Sequence, residues 1–188
     1  MTLFLFDIDD TLLKSPDRIL VKRGGEVIDR LDTEQFAKRK IGPDEEYDFT
    51  EFDDAEHIKN LKNAPSAFGL AILNQILETH DENDIDVGLL TARSKEEEMF
   101  QAMNIFLEDH FLPKVSRDLV FAINDPKHSA RGNSIPEKKL NVIQYLSDFY
   151  DEIYFIDDDE KNLNIVKDWA ARNNLADRII TVNASIEE

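Results

Sequence analysis

An apolar run that ends in three carboxylates within four positions restricts this chain most: Leu3-Phe4-Leu5-Phe6-Asp7-Ile8-Asp9-Asp10-Thr11-Leu12-Leu13. Its first half is short, aromatic and aliphatic, without helical period, and reads as a buried strand. Apolarity on both faces places that strand in the middle of a parallel sheet covered on both sides. Asp7 and Asp9 stand two apart, so at the end of an extended strand both side chains point to one side. Like charges held that close repel strongly where water screens them poorly, and a cation between them relieves the repulsion. A hard divalent ion, Mg2+ above all, suits oxygen ligands. The competing reading is an acidic loop that caps a helix.

Beyond Thr11 the chain alternates strand and helix signals. Gly24-Gly25 between Ile19–Arg23 and Glu26–Arg30 predicts a two-residue hairpin, with Arg23 facing Glu26 and Val21 facing Ile28. Asp32 or Thr33 caps a short helix to about Lys40, and Gly42-Pro43 ends it. Residues 44–56 are acidic and aromatic. They read as a solvated loop with Phe49 and Phe52 tucked against the body, or as a lid near a site. The stretch from Asp9 to the next core strand is too long for a plain connection and must carry structure of its own.

A helix is expected over Ser66–His80 with Phe68, Ile72 and Ile76 on one stripe, then a strand over Ile85–Leu90 ending in Thr91-Ala92-Arg93. Ser94-x-x-Glu97 reads as a capping box for a helix that turns Met99, Ala102, Met103, Phe106 and Leu107 inward. A third strand over Leu119–Ile123 leads into a polar loop with Lys127, His128 and Arg131. Ser134-x-x-Glu137 is a second capping box, with Pro136 in the first turn. Strand Glu152–Ile156 ends in Asp157-Asp158-Asp159, a helix runs to Leu175, and a last strand covers Ile179–Val182. Such alternation predicts right-handed crossovers and an α/β three-layer sandwich: a mainly parallel sheet between helices, with a small hairpin and helix insert after strand one. One domain over residues 1–188 is expected, with 14–62 as flap and small cap within it.

Composition closes several classes of function. With no cysteine, disulfides, thiolate metal sites and cysteine nucleophiles are excluded. A net charge of −18 argues against a grip on duplex tracts, though not against a nucleic-acid end or a nucleotide held through a metal ion. No apolar stretch approaches a membrane span, and the N-terminus, already a core strand, lacks a basic region and a cleavage site. A cytoplasmic protein with no membrane contact is the expectation. His57, His80 and His110 show no metal-ligand pattern and read as surface residues.

In parallel α/β sheets the site lies at the carboxyl ends of the strands. Asp7 and Asp9, Thr91, Lys139, and Asp157 and Asp158 all fall at those ends or just beyond. These residues, in this order, resemble the haloacid dehalogenase-like (HAD) hydrolase superfamily. The matching motifs are Asp7-Ile8-Asp9-Asp10-Thr11 after a hydrophobic strand, a strand ending in Thr91, a Lys at a helix start, and a strand ending in Asp157-Asp158, together spanning nearly the whole chain. The hairpin, the acidic aromatic segment, Leu90-Thr91-Ala92-Arg93-Ser94 and the Asp157-Asp158-x-x-x-Asn162 pattern look like small-cap, phage-type HAD proteins. The phosphatase domain of phage polynucleotide kinase is a more distant likeness.

The resemblance implies a Rossmann-like fold and Mg2+-dependent phosphoryl chemistry through a phospho-aspartate, on a phosphorylated small molecule, a nucleotide or a nucleic-acid end. Asp7 is the implied nucleophile. Asp9 protonates the leaving oxygen and then deprotonates water. Thr91 donates to a phosphoryl oxygen, and Lys139 neutralises phosphoryl charge. The implied metal ligands are Asp7, Asp9 (through its carbonyl) and Asp158, with Asp157 beside them. Lys138 competes with Lys139, which Ile143 and Leu146 favour by setting the inward face. Thr11 is a candidate substrate contact and the expected cap of a following helix. Arg93 either orients substrate or forms a salt bridge at a helix start. Asp10 and Asp159 read as solvated or capping. The rival readings are a receiver-like phospho-accepting domain, in which the acceptor Asp would follow the third strand, a phosphotransferase, and a non-catalytic binding module.

Overall fold

Strand β1, Thr2–Phe6, is the middle strand of a five-stranded parallel sheet in the computed structural model, which describes residues 1–81, 83–128 and 132–185. Period-two alternation sends Phe4 and Phe6 to one face and Leu3 and Leu5 to the other. Burying each of these side chains contributes about 2–3 kcal/mol, which pins this strand at the centre.

The other sheet strands are β5 (Ile85–Thr91), β6 (Val120–Ala122), β7 (Glu152–Asp157) and β8 (Ile179–Asn183), in the order β6-β5-β1-β7-β8. Helices α4 (Phe68–Thr79) and α5 (Glu96–Asp109) cover the Phe4 face with Leu70, Leu73, Met99, Met103 and Phe106. Helices α6 (Ile135–Leu146) and α7 (Glu160–Arg172) cover the Leu5 face with Ile143, Leu146, Leu163 and Val166. The result is a Rossmann-like three-layer sandwich. From β1 the chain steps outward to β5 and β6, then returns to β1's other side with β7 and β8. The order therefore reverses between β1 and β7, and a crevice opens there at the carboxyl ends. Register keeps those ends flush: Phe6 is level with Leu89 of β5 and with Ile156 of β7.

The segment between β1 and α4 carries its own three-stranded antiparallel sheet, β3-β2-β4, from β2 (Ile19–Arg23), β3 (Glu26–Leu31) and β4 (Glu45–Asp48). Short helices α1 (Thr33–Lys38), α2 (Thr50–Asp53) and α3 (Ala55–Asn60) complete it. Residues 44–56 are thus structured and not a plain loop. Gly24 (φ 59°) and Gly25 (φ 85°) form the hairpin turn, where both positions need positive φ. Arg23 faces Glu26 as expected, but a bulge between Val21 and Lys22 puts Val21 opposite Asp29, not Ile28. The bulge shifts the pairing by one, and Val27 and Ile28 are left exposed.

Three further expectations are corrected. No helix follows Thr11: residues 10–13 make a tight turn, with Asp10 N donating to Leu13 O (2.8 Å) and Asp10 at φ 58°. Phe68 is 46% exposed, because the start of α4 is pinned to that turn by Gly69 N donating to Thr11 O (2.9 Å). A Cβ on Gly69 would lie 2.5 Å from Thr11 O, so only glycine permits this approach. Ser94 does not cap α5. The residue just before α5 is Lys95, at φ 56°, and Asp125 Oδ2 accepts from Glu96 N (2.8 Å) where the sequence predicts a Ser94 cap. Glu96 itself turns inward to Arg117 and His128. The second box forms as read: Ser134 and Glu137 cap α6 reciprocally. No helix among the described residues is long and apolar enough to cross a membrane.

Candidate active site

Asp7 extends β1 into the crevice, and its N–H donates to Ile156 O of β7 (2.9 Å). This one bond sets the two acidic strand ends side by side. Carboxylate oxygens of Asp7, Asp157 and Asp158 lie within 4.8 Å of one another. Lys139 reaches them from α6, and its ammonium is buried at 3.0 Å from Asp7 Oδ1 and 2.7 Å from Asp157 Oδ2. The capping box fixes the start of α6, and Ile143 and Leu146, four and seven positions on, hold the Lys139 face against the sheet. Lys138 points elsewhere and is half-buried, donating to Asn124 Oδ1 (2.7 Å).

Asp157 is fully engaged. It accepts from Lys139 Nζ (2.7 Å), from Asp159 N (2.8 Å) and, with both oxygens, from Asn162 Nδ2 (3.1 Å each). Asp159 caps α7 through Lys161 N (2.9 Å). Asp158 accepts from Thr11 Oγ1 (3.1 Å), so buried Thr11 orients a carboxylate from inside the turn.

The charges do not balance inside this cluster. Among the described residues three carboxylates face one ammonium, a formal excess of two negative charges. Burial pushes the Asp7 carboxyl well above the usual range, Lys139 opposes this, and Asp157, Asp158 and Asp9 add to it. Burial, then Asp157 and Asp10, push Asp158 up to about 6. Burial alone would pull Lys139 down, but Asp157 and Asp7 outweigh it and hold the ammonium charged. Asp7 Oδ1 is buried 3.0 Å from the Lys139 ammonium, but among the described residues it accepts no hydrogen bond. A buried carboxylate oxygen that accepts no hydrogen bond, in a cluster with more carboxylates than ammonium groups, fits a hard divalent cation.

Thr91 closes β5 beside this cluster. Its Oγ1 accepts from Arg93 N (3.2 Å), and among the described residues its own proton has no acceptor, leaving it available to donate.

No family model, curated protein or solved structure matches the chain.

Asp9 and Arg93 form a separate arrangement. The Asp9 carboxylate does not join the Asp7 cluster but accepts a two-pronged bond from Arg93, Nε to Oδ2 (2.8 Å) and Nη2 to Oδ1 (2.7 Å). Arg93 is therefore the buried partner of a carboxylate and no free substrate contact. Asp10 turns away to the insert, where it accepts from Thr33 and faces Lys14 (3.7 Å). Lys127 and His128 lie on the loop after β6, His128 being paired with Glu96, while Arg131 lies outside the described residues. His57 is no free surface residue: its Nδ1 lies 2.9 Å from Asp17 Oδ1. Sequence reasoning missed Asp17, whose only local signal is a polar step after Pro16, and Asn162, visible only as a pattern after Asp157-Asp158.

Proposed function

We propose that this chain is a Mg2+-dependent phosphomonoesterase of the HAD type that works through a phospho-aspartate at Asp7. The Asp7–Asp157–Asp158 cluster carries the reading: it has charge in excess of Lys139 and, among the described residues, an Asp7 oxygen that accepts no hydrogen bond, at the carboxyl ends of β1 and β7. Asp7, Asp158 and the main-chain carbonyl of Asp9 would hold the cation. Asp157, already saturated by donors, mainly anchors Lys139. Mg2+ bound there supplies positive charge to the phosphoryl oxygens.

The chain's own residues then divide the work. An Asp7 oxygen attacks phosphorus in line as the bond to the ester oxygen breaks. The Asp9 carboxyl gives its proton to that leaving oxygen. Water next attacks the phospho-aspartate and passes a proton back to Asp9, which frees phosphate and restores Asp7. Thr91 Oγ1 donates to a phosphoryl oxygen, and Lys139 balances its charge. The substrate class is a phosphorylated small molecule, a nucleotide or a nucleic-acid end. The −18 net charge disfavours duplex tracts. A receiver-like domain fits less well, because the paired acids lie on β1 while β6, the third core strand, leads into Asn124-Asp125. The test is turnover of p-nitrophenyl phosphate with Mg2+. Asp7→Asn should be inactive, and a wild-type rate in that variant rules out the phospho-aspartate.

A further inference from the structure

Arg93 is among the largest fully buried side chains in the protein, and all its guanidinium nitrogens have protein acceptors. Nε and Nη2 hold Asp9. Nη2 also donates to Asp17 Oδ2 (2.5 Å) and Ser15 Oγ (2.9 Å), and Nη1 donates to Phe52 O (3.3 Å). The Phe52 ring lies under the guanidinium at 4.8 Å. Asp17 is buried too, with its second oxygen facing His57 Nδ1 (2.9 Å). Apart from Asp9, every side-chain partner of Arg93 comes from residues 15–52, the start and the second half of the insert. The Arg93 amide meanwhile bonds Thr91 Oγ1.

We infer that Arg93 is the positioning residue for Asp9, and that Asp17, braced by His57 of the insert, holds Arg93 in place, with Phe52 against the guanidinium, while Asp9 changes partners. This rests on the phosphohydrolase reading. In that reaction Asp9 must offer an oxygen to the leaving group and then to water, so it must loosen its two-pronged bond. A buried guanidinium left with no carboxylate is costly. Asp17 removes that cost by remaining with Arg93. The insert is then the scaffold of a clamp on the proton-transfer residue, and not only a cover over the site.

A clamp on proton transfer has a signature that a merely structural residue lacks. Protonation of the leaving oxygen matters for an alkyl phosphate and hardly at all for 2,4-dinitrophenyl phosphate, whose leaving group departs unaided. Turnover of both esters is measured with Mg2+ for wild type, Arg93→Lys and Asp17→Asn. Arg93→Lys keeps the charge but loses the fork, and kcat/KM on the alkyl ester should fall about 100-fold, within the usual range for lost general acid–base assistance. kcat/KM on the dinitrophenyl ester, which reports only the steps up to the phospho-aspartate, should fall less than about 3-fold, whereas kcat also contains the Asp9-assisted water step and falls on both esters. Asp17→Asn leaves Asp9 as the guanidinium's one carboxylate partner among those described, and should show the same split, about 10-fold on the alkyl ester. Asp17→Asn decides the matter by itself if Arg93→Lys does not fold. Equal losses of kcat/KM on both esters, or no loss on the alkyl ester, overturn the clamp. A wild-type protein that hydrolyses neither ester overturns the phosphohydrolase reading itself.

Discussion

Lys139→Met removes the ammonium that faces Asp7 and Asp157 and leaves a side chain of similar length over the Phe155 ring. Deleting one partner of a buried ion pair costs about 3–5 kcal/mol, because the other charge stays buried. Here two carboxylates are stranded, at 3.0 and 2.7 Å from the lost nitrogen, with Asp158 beside them. For a domain of this size each kcal/mol shifts Tm by about 2–4 °C, so a fall on the order of 10 °C is expected. Asp157→Asn in the same background removes one stranded charge and keeps an oxygen for Asp159 N. The double variant should regain about 2 kcal/mol of the loss, a coupling of the size found between contacting residues. Urea unfolding in EDTA at neutral pH measures all four corners of this cycle, and neither Lys139 variant should turn over substrate. A loss below about 1 kcal/mol for Lys139→Met, or a double variant whose losses simply add, means that Lys139 is not the buried counter-charge described above.

Two further outcomes follow from the same geometry. The folded-state carboxyl of Asp158 is raised from the usual 3.8 to about 6, so its protonated form favours the fold. The stabilising contribution is full below about pH 4 and is lost as pH rises through about 6, by about 1–2 kcal/mol after allowing for its partial exposure. In EDTA, urea midpoints should fall over that window in wild type and much less in Asp158→Asn; parallel curves would show that Asp158 does not feel its acidic neighbours. Gly69→Ala forces a Cβ to 2.5 Å from the Thr11 carbonyl, a backbone atom that cannot step aside cheaply. A loss of about 1–3 kcal/mol on denaturation is expected, and a change within 0.5 kcal/mol would show that the turn and α4 separate freely.

Much of the fold is readable from local chemistry. The apolar Leu3–Phe6 run, the capping box at Ser134 and the alternating strand and helix signals suffice to place β1 at the centre and helices on both faces. Parallel strands with flush ends then bring Asp7, Thr91 and Asp157 to one edge, so their proximity is a consequence of topology. What local patterns cannot show is where long or buried polar side chains find partners. Arg93 reaches a carboxylate 84 positions away, and Asp17 matters only because the insert folds back onto it. Ser94 loses its capping role to Asp125, which comes from a different strand end. The Val21–Ile28 pairing fails because the alternation of side chains does not reveal a one-residue bulge.

Direct detection of a phosphoryl group on Asp7 tests the central claim most closely. The protein is mixed with an aryl phosphate and Mg2+, quenched in acid within the first turnovers, digested and analysed by mass spectrometry. The account predicts one phosphoryl mass on the peptide carrying Asp7, absent in Asp7→Asn and absent without the cation. Turnover of the ester with an unmodified Asp7 at every quench time, or with the phosphoryl group on another residue, would contradict it.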